Sequence, residues 1–123
     1  MLDIRKEVAM SIEQNKSLVR RFFEEMITGD VERLDEYVAD GFTTANAWKN
    51  RDGLRKVMKN FRAAFSQLEF NQLDMIAEGD KVVIHYQVTC INQDSRKIIT
   101  AVHIDRIADG KIVEGYACGD SFY

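Results

Sequence analysis

The chain contains no proline, no internal repeat and no low-complexity tract, and its 123 residues include only two cysteines and two histidines. No stretch approaches the roughly 18 consecutive apolar residues that a membrane-spanning helix needs. Residues 1–7 carry too many charges for a secretory signal. Cys90 and Cys118 have no neighbouring Cys or His at the spacing of metal ligands. We therefore expect a cytoplasmic protein with two reduced thiols, no metal and no cofactor.

Neither sign of charge predominates, since the chain has 17 Lys and Arg residues and 20 Asp and Glu residues, which gives a net charge of -3. The longest basic cluster, 51–59, alternates with apolar residues at helical spacing, which is typical of a solvated face. We therefore expect neither nucleic acid nor a membrane among its partners. The sequence also lacks a glycine-rich phosphate cradle, a nucleophile elbow and a paired-cysteine site.

The composition is that of one globular domain spanning residues 1–123, with 46% apolar and 30% charged residues. Apolar residues three or four apart predict a first helix over 3–27, which Gly29 ends. Asp30 is predicted to cap a short second helix. After an irregular or extended run, 42–48, a third helix is predicted over 52–65. The predicted buried face of the second helix is Val31, Leu34 and Val38, and that of the third is Leu54, Val57, Met58, Phe61 and Phe65.

The last half of the chain predicts four strands, over 68–77, 81–92, 97–107 and 111–120. We interpret Ala108-Asp109-Gly110 as a three-residue loop with Gly110 in the left-handed conformation, which fixes the register of the last two strands. This register places Ala101, His103 and Asp105 on the same face as Val113, Gly115 and Ala117. Because Gly115, Ala117 and Gly119 are small, they are expected to leave room beside that face.

Four segments of the chain, in order, are similar to a known family. They are NKSLVRRFFEE at 15–25, GD at 29–30, AEGDKVV at 77–83 and RIADGKIVE at 106–114. The region from about residue 13 to 120 resembles the SnoaL-like polyketide cyclase family, which belongs to the nuclear transport factor 2-like superfamily. The resemblance implies an α+β fold in which three N-terminal helices pack on a strongly curved antiparallel sheet, making a cone-shaped barrel. It also implies a pocket for a small hydrophobic molecule and a homodimer.

The catalytic positions that the resemblance implies are only partly kept. In SnoaL-like cyclases an aspartate of the last strand takes a proton, helped by a histidine of the preceding strand. These positions fall on Ala117, which cannot accept a proton, and on His103. In the steroid isomerases of the superfamily, the donors to the oxyanion and the proton-shuttling aspartate fall on Phe22, His103 and Asn46. Phe22 donates no hydrogen bond and Asn46 is not a base, so neither mechanism is intact.

His103 and Asp105 are the candidate catalytic residues. A buried histidine can act as a general acid or base near neutral pH, or be a core histidine satisfied by its neighbours. An inward carboxylate needs a partner. Asp105 could therefore orient His103 or replace the missing base, or it could be exposed to solvent near the end of its hairpin. We expect an ionised Asp105 close to His103 to raise the histidine pKa.

Five further residues are candidates for substrate binding. Asn46 could hold a carbonyl or hydroxyl of the ligand, or bond its own backbone in a turn. Trp48 could stack on a planar ligand or cover the core, and Tyr86 is either a pocket wall or core. Phe23 and Ala117 complete the predicted wall. By strand alternation His85 faces the other side of the sheet.

Two hypotheses about function follow. One is an enzyme of carbon-acid or hydrolytic chemistry, of cyclase or isomerase type, that acts on a hydrophobic cyclic substrate. The other is a non-catalytic binding or assembly module without the family's catalytic aspartate. The homodimer is expected to form through the convex sheet face, where Ile104, Ile112, Tyr116 and Cys118 form an unusually apolar surface.

Overall fold

The computed structural model describes residues 4–44 and 50–120, and of residues 4–10 only the backbone. The elements are α1 (Ile4–Thr28), a 3-10 helix (Val31–Glu36), β1 (Val38–Thr44), α2 (Arg51–Ala63), β2 (Gln67–Glu78), β3 (Lys81–Asn92), β4 (Ser95–Ala108) and β5 (Lys111–Gly119). The predicted ligand-binding residues Asn46 and Trp48 lie outside the described residues. Within the described ranges, no helix is both long enough and apolar enough to cross a membrane.

The five strands form one sheet in the order β1-β5-β4-β3-β2. The last four strands are antiparallel neighbours, as predicted, whereas β1 adds a strand that runs parallel to β5. The helices cover one face of this sheet, and β3 alternates buried with half-buried side chains along most of its length. The core lies between them, where Met26, Leu54 and Met58 of the helices meet Ile84 and Tyr86 of the sheet.

The second predicted helix is a single short 3-10 helix. Asp30 caps it as expected, because its side chain accepts a hydrogen bond from the Glu32 N–H. Val31 and Leu34 are buried, and their spacing of three matches the 3-10 repeat. Val38 is fully buried too, but it is the first residue of β1 rather than part of a helix. The extended backbone suits this β-branched residue.

The turn between β4 and β5 differs from the predicted three-residue loop. Ala108 pairs with Lys111, so only Asp109 and Gly110 form the turn. Both have positive φ angles, 52° and 75°, as a type I′ hairpin turn requires. The tighter turn prevails because its twist matches that of the strands, and an Asp-Gly pair tolerates these angles.

A bulge in β5 restores the predicted faces despite the shorter turn. Ile107 pairs with Ile112 but Arg106 pairs with Glu114, so Val113 is an extra residue on β5. Beyond the bulge, His103 lies opposite Ala117 and Asp105 opposite Gly115, and these residues share one face as predicted. Ile112, on the near side of the bulge, was expected on the convex face. That expectation is wrong, because its side chain points inward and is 1% exposed.

The two cysteines lie on opposite sides of the sheet. Cys90 is buried in the core, whereas Cys118 is exposed, and both are free thiols. Cys118 is therefore exposed, in agreement with its predicted place on the convex face.

Candidate functional site

His103 and Asp105 lie on the inner face of β4. Each is 3% exposed, while Ile104 between them faces the outside and is 40% exposed. The alternation of a β-strand places the two inward side chains about 6.6 Å apart along the strand. The predicted inward direction of both residues is confirmed.

A cavity of about 20 Å³ lies beside this pair, roughly the space of one water molecule. The described residues around it are Phe22, Phe23, Met26, Ile27, Phe42, Leu54, Met58, His103, Asp105 and Ile112. Of the predicted binding residues, Phe23 therefore borders the cavity. Tyr86 lies behind the wall, with its ring centre 5.4 Å from that of His103 and 4.8 Å from that of Phe23. Ala117 is half-buried opposite His103, and neither Tyr86 nor Ala117 is among the described lining residues.

The small residues of β5 do not leave the expected room. A Cβ added at Gly115 would lie 3.2 Å from Oδ1 of Asp105 and 3.4 Å from Cζ of Phe42. At Gly119, which has a φ of 110°, an added Cβ would lie 2.8 Å from the Thr100 carbonyl oxygen. The space beside these glycines is thus filled by the Asp105 carboxyl, the Phe42 ring and the backbone of β4.

Asp105 is a carboxyl group held in an apolar environment. Its Oδ2 atom has no hydrogen-bond partner among the residues that the structure describes. Burial raises its pKa to about 8, because removing a carboxylate from water disfavours the charged form. At neutral pH Asp105 is therefore mainly a neutral carboxylic acid, which can donate a hydrogen bond.

His103 shifts in the opposite direction for the same reason. Burial lowers its pKa to about 4, so the imidazole is neutral at pH 7. The expectation that Asp105 would raise this pKa is wrong, because a protonated Asp105 carries no charge with which to do so. The rings of Phe23 and Tyr86 flank the imidazole, and burial also raises the pKa of the Tyr86 hydroxyl, with a smaller contribution from Asp105.

The cavity also has walls that the sequence did not predict. Phe42 is 3% exposed and contributes from β1, which pairs Val38 with Ile112 but Thr43 with Glu114. The extra residues between these pairs bend β1. No local pattern in an irregular run predicts such a bend. Leu54 and Met58 were predicted to be core residues, and in the folded chain they also border the cavity.

The second histidine lies away from this site, as predicted. His85 Nδ1 is 3.0 Å from Oδ2 of Asp74 on the outer face of the sheet, and its side chain is 37% exposed. Among residues 4–44 and 50–120, no group of three or more His, Cys, Asp or Glu side chains is placed to hold a metal ion.

Two α-helices and a 3-10 helix that pack on one face of a curved five-stranded sheet form an α+β fold, which is typical of nuclear transport factor 2-like proteins. A model of the SnoaL-like domain matches residues 19–115. The chain belongs to the SnoaL-like domain family.

Solved structures agree with this fold. A proposed polyketide cyclase from Bacillus cereus has a TM-score of 0.78 and 24% identity, over 87% of this chain and 74% of its own. IdmH, a proposed polyketide cyclase from Streptomyces antibioticus, has a TM-score of 0.77 and 20% identity, and the match covers 87% of this chain and 92% of IdmH. AclR, a proposed hydroxylase from Streptomyces galilaeus, has a TM-score of 0.80 and 18% identity, and the match covers 89% of this chain and 90% of AclR. At such identities the likeness shows the fold alone. No curated protein matches the sequence.

Proposed function

We propose that this protein binds a small hydrophobic molecule and performs general acid/base chemistry on it, in the manner of a cyclase or isomerase. One observation carries the proposal: two ionisable side chains, His103 and Asp105, are almost fully buried beside an apolar cavity. Burying ionisable groups costs stability, so such pairs occur more often at functional sites than elsewhere.

The protonation states of the pair suit this chemistry. A neutral His103 can accept a proton from a carbon next to a carbonyl. A protonated Asp105 can hydrogen-bond to the oxygen on which negative charge then develops. His103 would take the role that the family gives to an aspartate at the position of Ala117. The proton that His103 removes is returned from the same nitrogen to another atom of the molecule.

A non-catalytic binding module is the second candidate, because Ala117 stands where the family has its catalytic aspartate. A space of about 20 Å³ does not hold a ring, since benzene occupies a cavity of about 150 Å³. A cyclic ligand must therefore displace side chains of the wall, and Met26 and Met58 have the flexible chains best suited to move. The module hypothesis predicts binding without turnover.

Deuterium exchange tests the enzyme hypothesis without knowledge of the product. Neutral cyclic ketones are incubated with the protein in D₂O, and exchange at the carbon next to the carbonyl is followed by NMR. We expect His103→Ala to slow the exchange by about a hundredfold, the contribution of one general base. Ketone affinity should change much less.

His85→Ala is the matched control, because it removes the other histidine from the outer face. It should leave the exchange rate unchanged. Ketone binding with no exchange above the solvent rate in the wild-type protein would contradict the enzyme hypothesis and favour the module.

A further inference from the structure

A diagonal row of rings crosses the inner face of the sheet and ends at His103. Tyr86 of β3 pairs with Ala101 of β4 on one side and with Gln72 of β2 on the other. His103 and Phe70 lie two residues from these partners, so both are diagonal neighbours of Tyr86, within reach of its ring. The row therefore runs from His103 through Tyr86 to Phe70 on β2, the edge strand of the sheet.

Phe23 of α1 lies over this row and forms a ring pair with each of its members. Its ring centre is 5.0 Å from that of His103, with an interplanar angle of 83°, and 4.8 Å from that of Tyr86. It stacks nearly parallel on Phe70, at 13° and 5.9 Å between the ring centres. Stacked and edge-to-face pairs are favoured arrangements of aromatic rings. Phe70 therefore holds the ring of Phe23, and Phe23 holds the imidazole.

We infer that Phe70 is a positioning residue, whose ring fixes that of Phe23 and thereby keeps the His103 imidazole in place beside the cavity. This role rests on the proposed function, because it takes His103 to be the group that acts on the ligand. A general base must lie within hydrogen-bond reach of the proton that it removes, and small misplacements slow a reaction strongly. Phe70 is not among the described lining residues of the cavity, so it acts through Phe23.

The same four rings keep water away from the imidazole. Tyr86 is fully buried and Phe23 is 3% exposed, whereas Phe70 is half-buried. Burial is what lowers the pKa of His103, so a smaller side chain at residue 70 that admits water should raise it. The other titratable groups described around the imidazole are Asp105 and Tyr86, both mainly uncharged below pH 7. The helices, β1 and β5 present apolar side chains to it.

Phe70→Leu tests this role, because it removes the ring and keeps an apolar side chain. Two NMR measurements on the full chain require no turnover: the flip rate of the Phe23 ring, and the pKa of His103 from a titration between about pH 3 and 7. We expect faster flipping and a pKa of His103 raised from about 4 toward 6.5. His85→Ala identifies the His103 signals, since the chain has only two histidines.

Deuterium exchange of the cyclic ketones gives a third measurement. Phe70→Leu should slow it about two- to tenfold, the contribution of one aromatic pair, with little change in ketone affinity. Phe70→Tyr keeps the ring and should retain all wild-type values. Phe65→Leu is the matched control, because Phe65 is also half-buried and its ring pairs with that of Phe61, 5.4 Å away. It should leave the pKa of His103 unchanged.

Failure of this role and failure of the proposed function are distinguishable. If Phe70→Leu leaves either the flip rate of Phe23 or the pKa of His103 unchanged, the positioning role is wrong. It is also wrong if Phe70→Tyr behaves like Phe70→Leu, or if Phe65→Leu changes His103 equally. A wild-type protein without ketone exchange contradicts the proposed function alone, since the two NMR measurements still decide the role of Phe70. Circular dichroism melting checks folding, and Phe70→Met replaces Phe70→Leu if the latter does not fold.

Discussion

At the scale of residues, His103 and Asp105 make opposite contributions to stability as the pH changes. Asp105 has a pKa of about 8 in the folded chain against an ordinary 3.8, so the folded state retains its proton between these values. His103 has a pKa of about 4 in the folded chain against an ordinary 6.5, so between these pH values it is the unfolded state that retains the proton. Rising pH therefore removes stability through Asp105 between pH 3.8 and 8, and adds it through His103 between pH 4 and 6.5.

The two effects should cancel from pH 4 to 6.5, leaving only the loss through Asp105 from pH 6.5 to 8. Over those last 1.5 pH units, the free energy of unfolding should fall by about 2 kcal/mol. Urea unfolding at a series of pH values measures it. In Asp105→Asn the fall should disappear, and stability should instead rise from pH 4 to 6.5 through His103. An identical profile in wild type and variant would show that Asp105 does not titrate in this range.

Gly115 is predicted to be required for the position of the Asp105 carboxyl. An alanine methyl at this position would lie 3.2 Å from Oδ1 of Asp105, so the carboxyl must shift, and 3.4 Å from the Phe42 ring, which is an ordinary contact. We expect Gly115→Ala to cost about 1–3 kcal/mol, as overpacking of a core does. Gly41→Ala, also in a strand, is the matched control because nothing lies within 4 Å of its added Cβ. A loss in both variants alike would contradict a specific contact with Asp105.

At the scale of elements, the sequence was most informative where a period or a turn residue recurs. The alternation of β3 predicted its inner face and its bounds of Lys81–Asn92. By contrast, β1 has no alternation of apolar and polar residues that predicts a strand. Its pairing could not be predicted either, because its partner β5 is more than sixty residues away and a bulge interrupts the pairing. Phe42 reaches the cavity through this non-local pairing, and so it could not be recognised as a wall residue.

The hairpin between β4 and β5 illustrates a second limit. Asp109 and Gly110 predicted a turn at the correct place, but two turn lengths are compatible with these residues. The sequence has no signal for the bulge at Val113, which compensates for the shorter turn. His103 and Asp105 were assigned to the correct face, whereas the direction of Ile112 depended on the bulge and was predicted wrongly.

Helix α2 is predicted to open more easily than the rest of the core. One of its faces supplies Leu54 and Met58 to the cavity wall, while an adjacent stripe pairs Arg55 with Asp35 and Lys59 with Glu32 of the 3-10 helix. These ion pairs are partly exposed, and exposed pairs contribute little and are weakened by salt.

We expect Arg55→Ala to speed hydrogen exchange of the α2 amides about two- to fivefold, as loss of one exposed ion pair would. The amides of β3 should be unaffected. Lys56→Ala is the control, because Lys56 lies on the exposed side of the helix. High salt should reproduce the effect of Arg55→Ala in the wild-type chain. Uniform acceleration of α2 and β3 would indicate global destabilisation and contradict a local opening.

At the scale of the whole molecule, one apolar row crosses the outer face of the sheet. Ile76 pairs with Val83, Val83 with Ile104, and Ile104 with Tyr116, so the row crosses four strands. Ile76, Ile104 and Tyr116 are 66%, 40% and 46% exposed, an arrangement more typical of an interface than of a free surface.

Two charges beside this row are paired with each other within the chain. Arg106 forms an ion pair with Glu114. A second copy of the chain can therefore approach this face without strong repulsion between like charges. The apolar row is also suited to a two-fold arrangement, because the same patch can face itself.

We predict that the protein is a homodimer that buries this row. Sedimentation at micromolar concentration should give about 28 kDa, twice the chain mass of 14.2 kDa. Ile104→Glu should shift the protein to monomer, because it would bury an unpaired charge at the centre of the interface. Lys56→Glu introduces the same residue at an exposed position of α2 and should leave the dimer intact. A wild-type protein that sediments as a monomer contradicts the prediction, and a dimer that survives Ile104→Glu would place the interface on another surface.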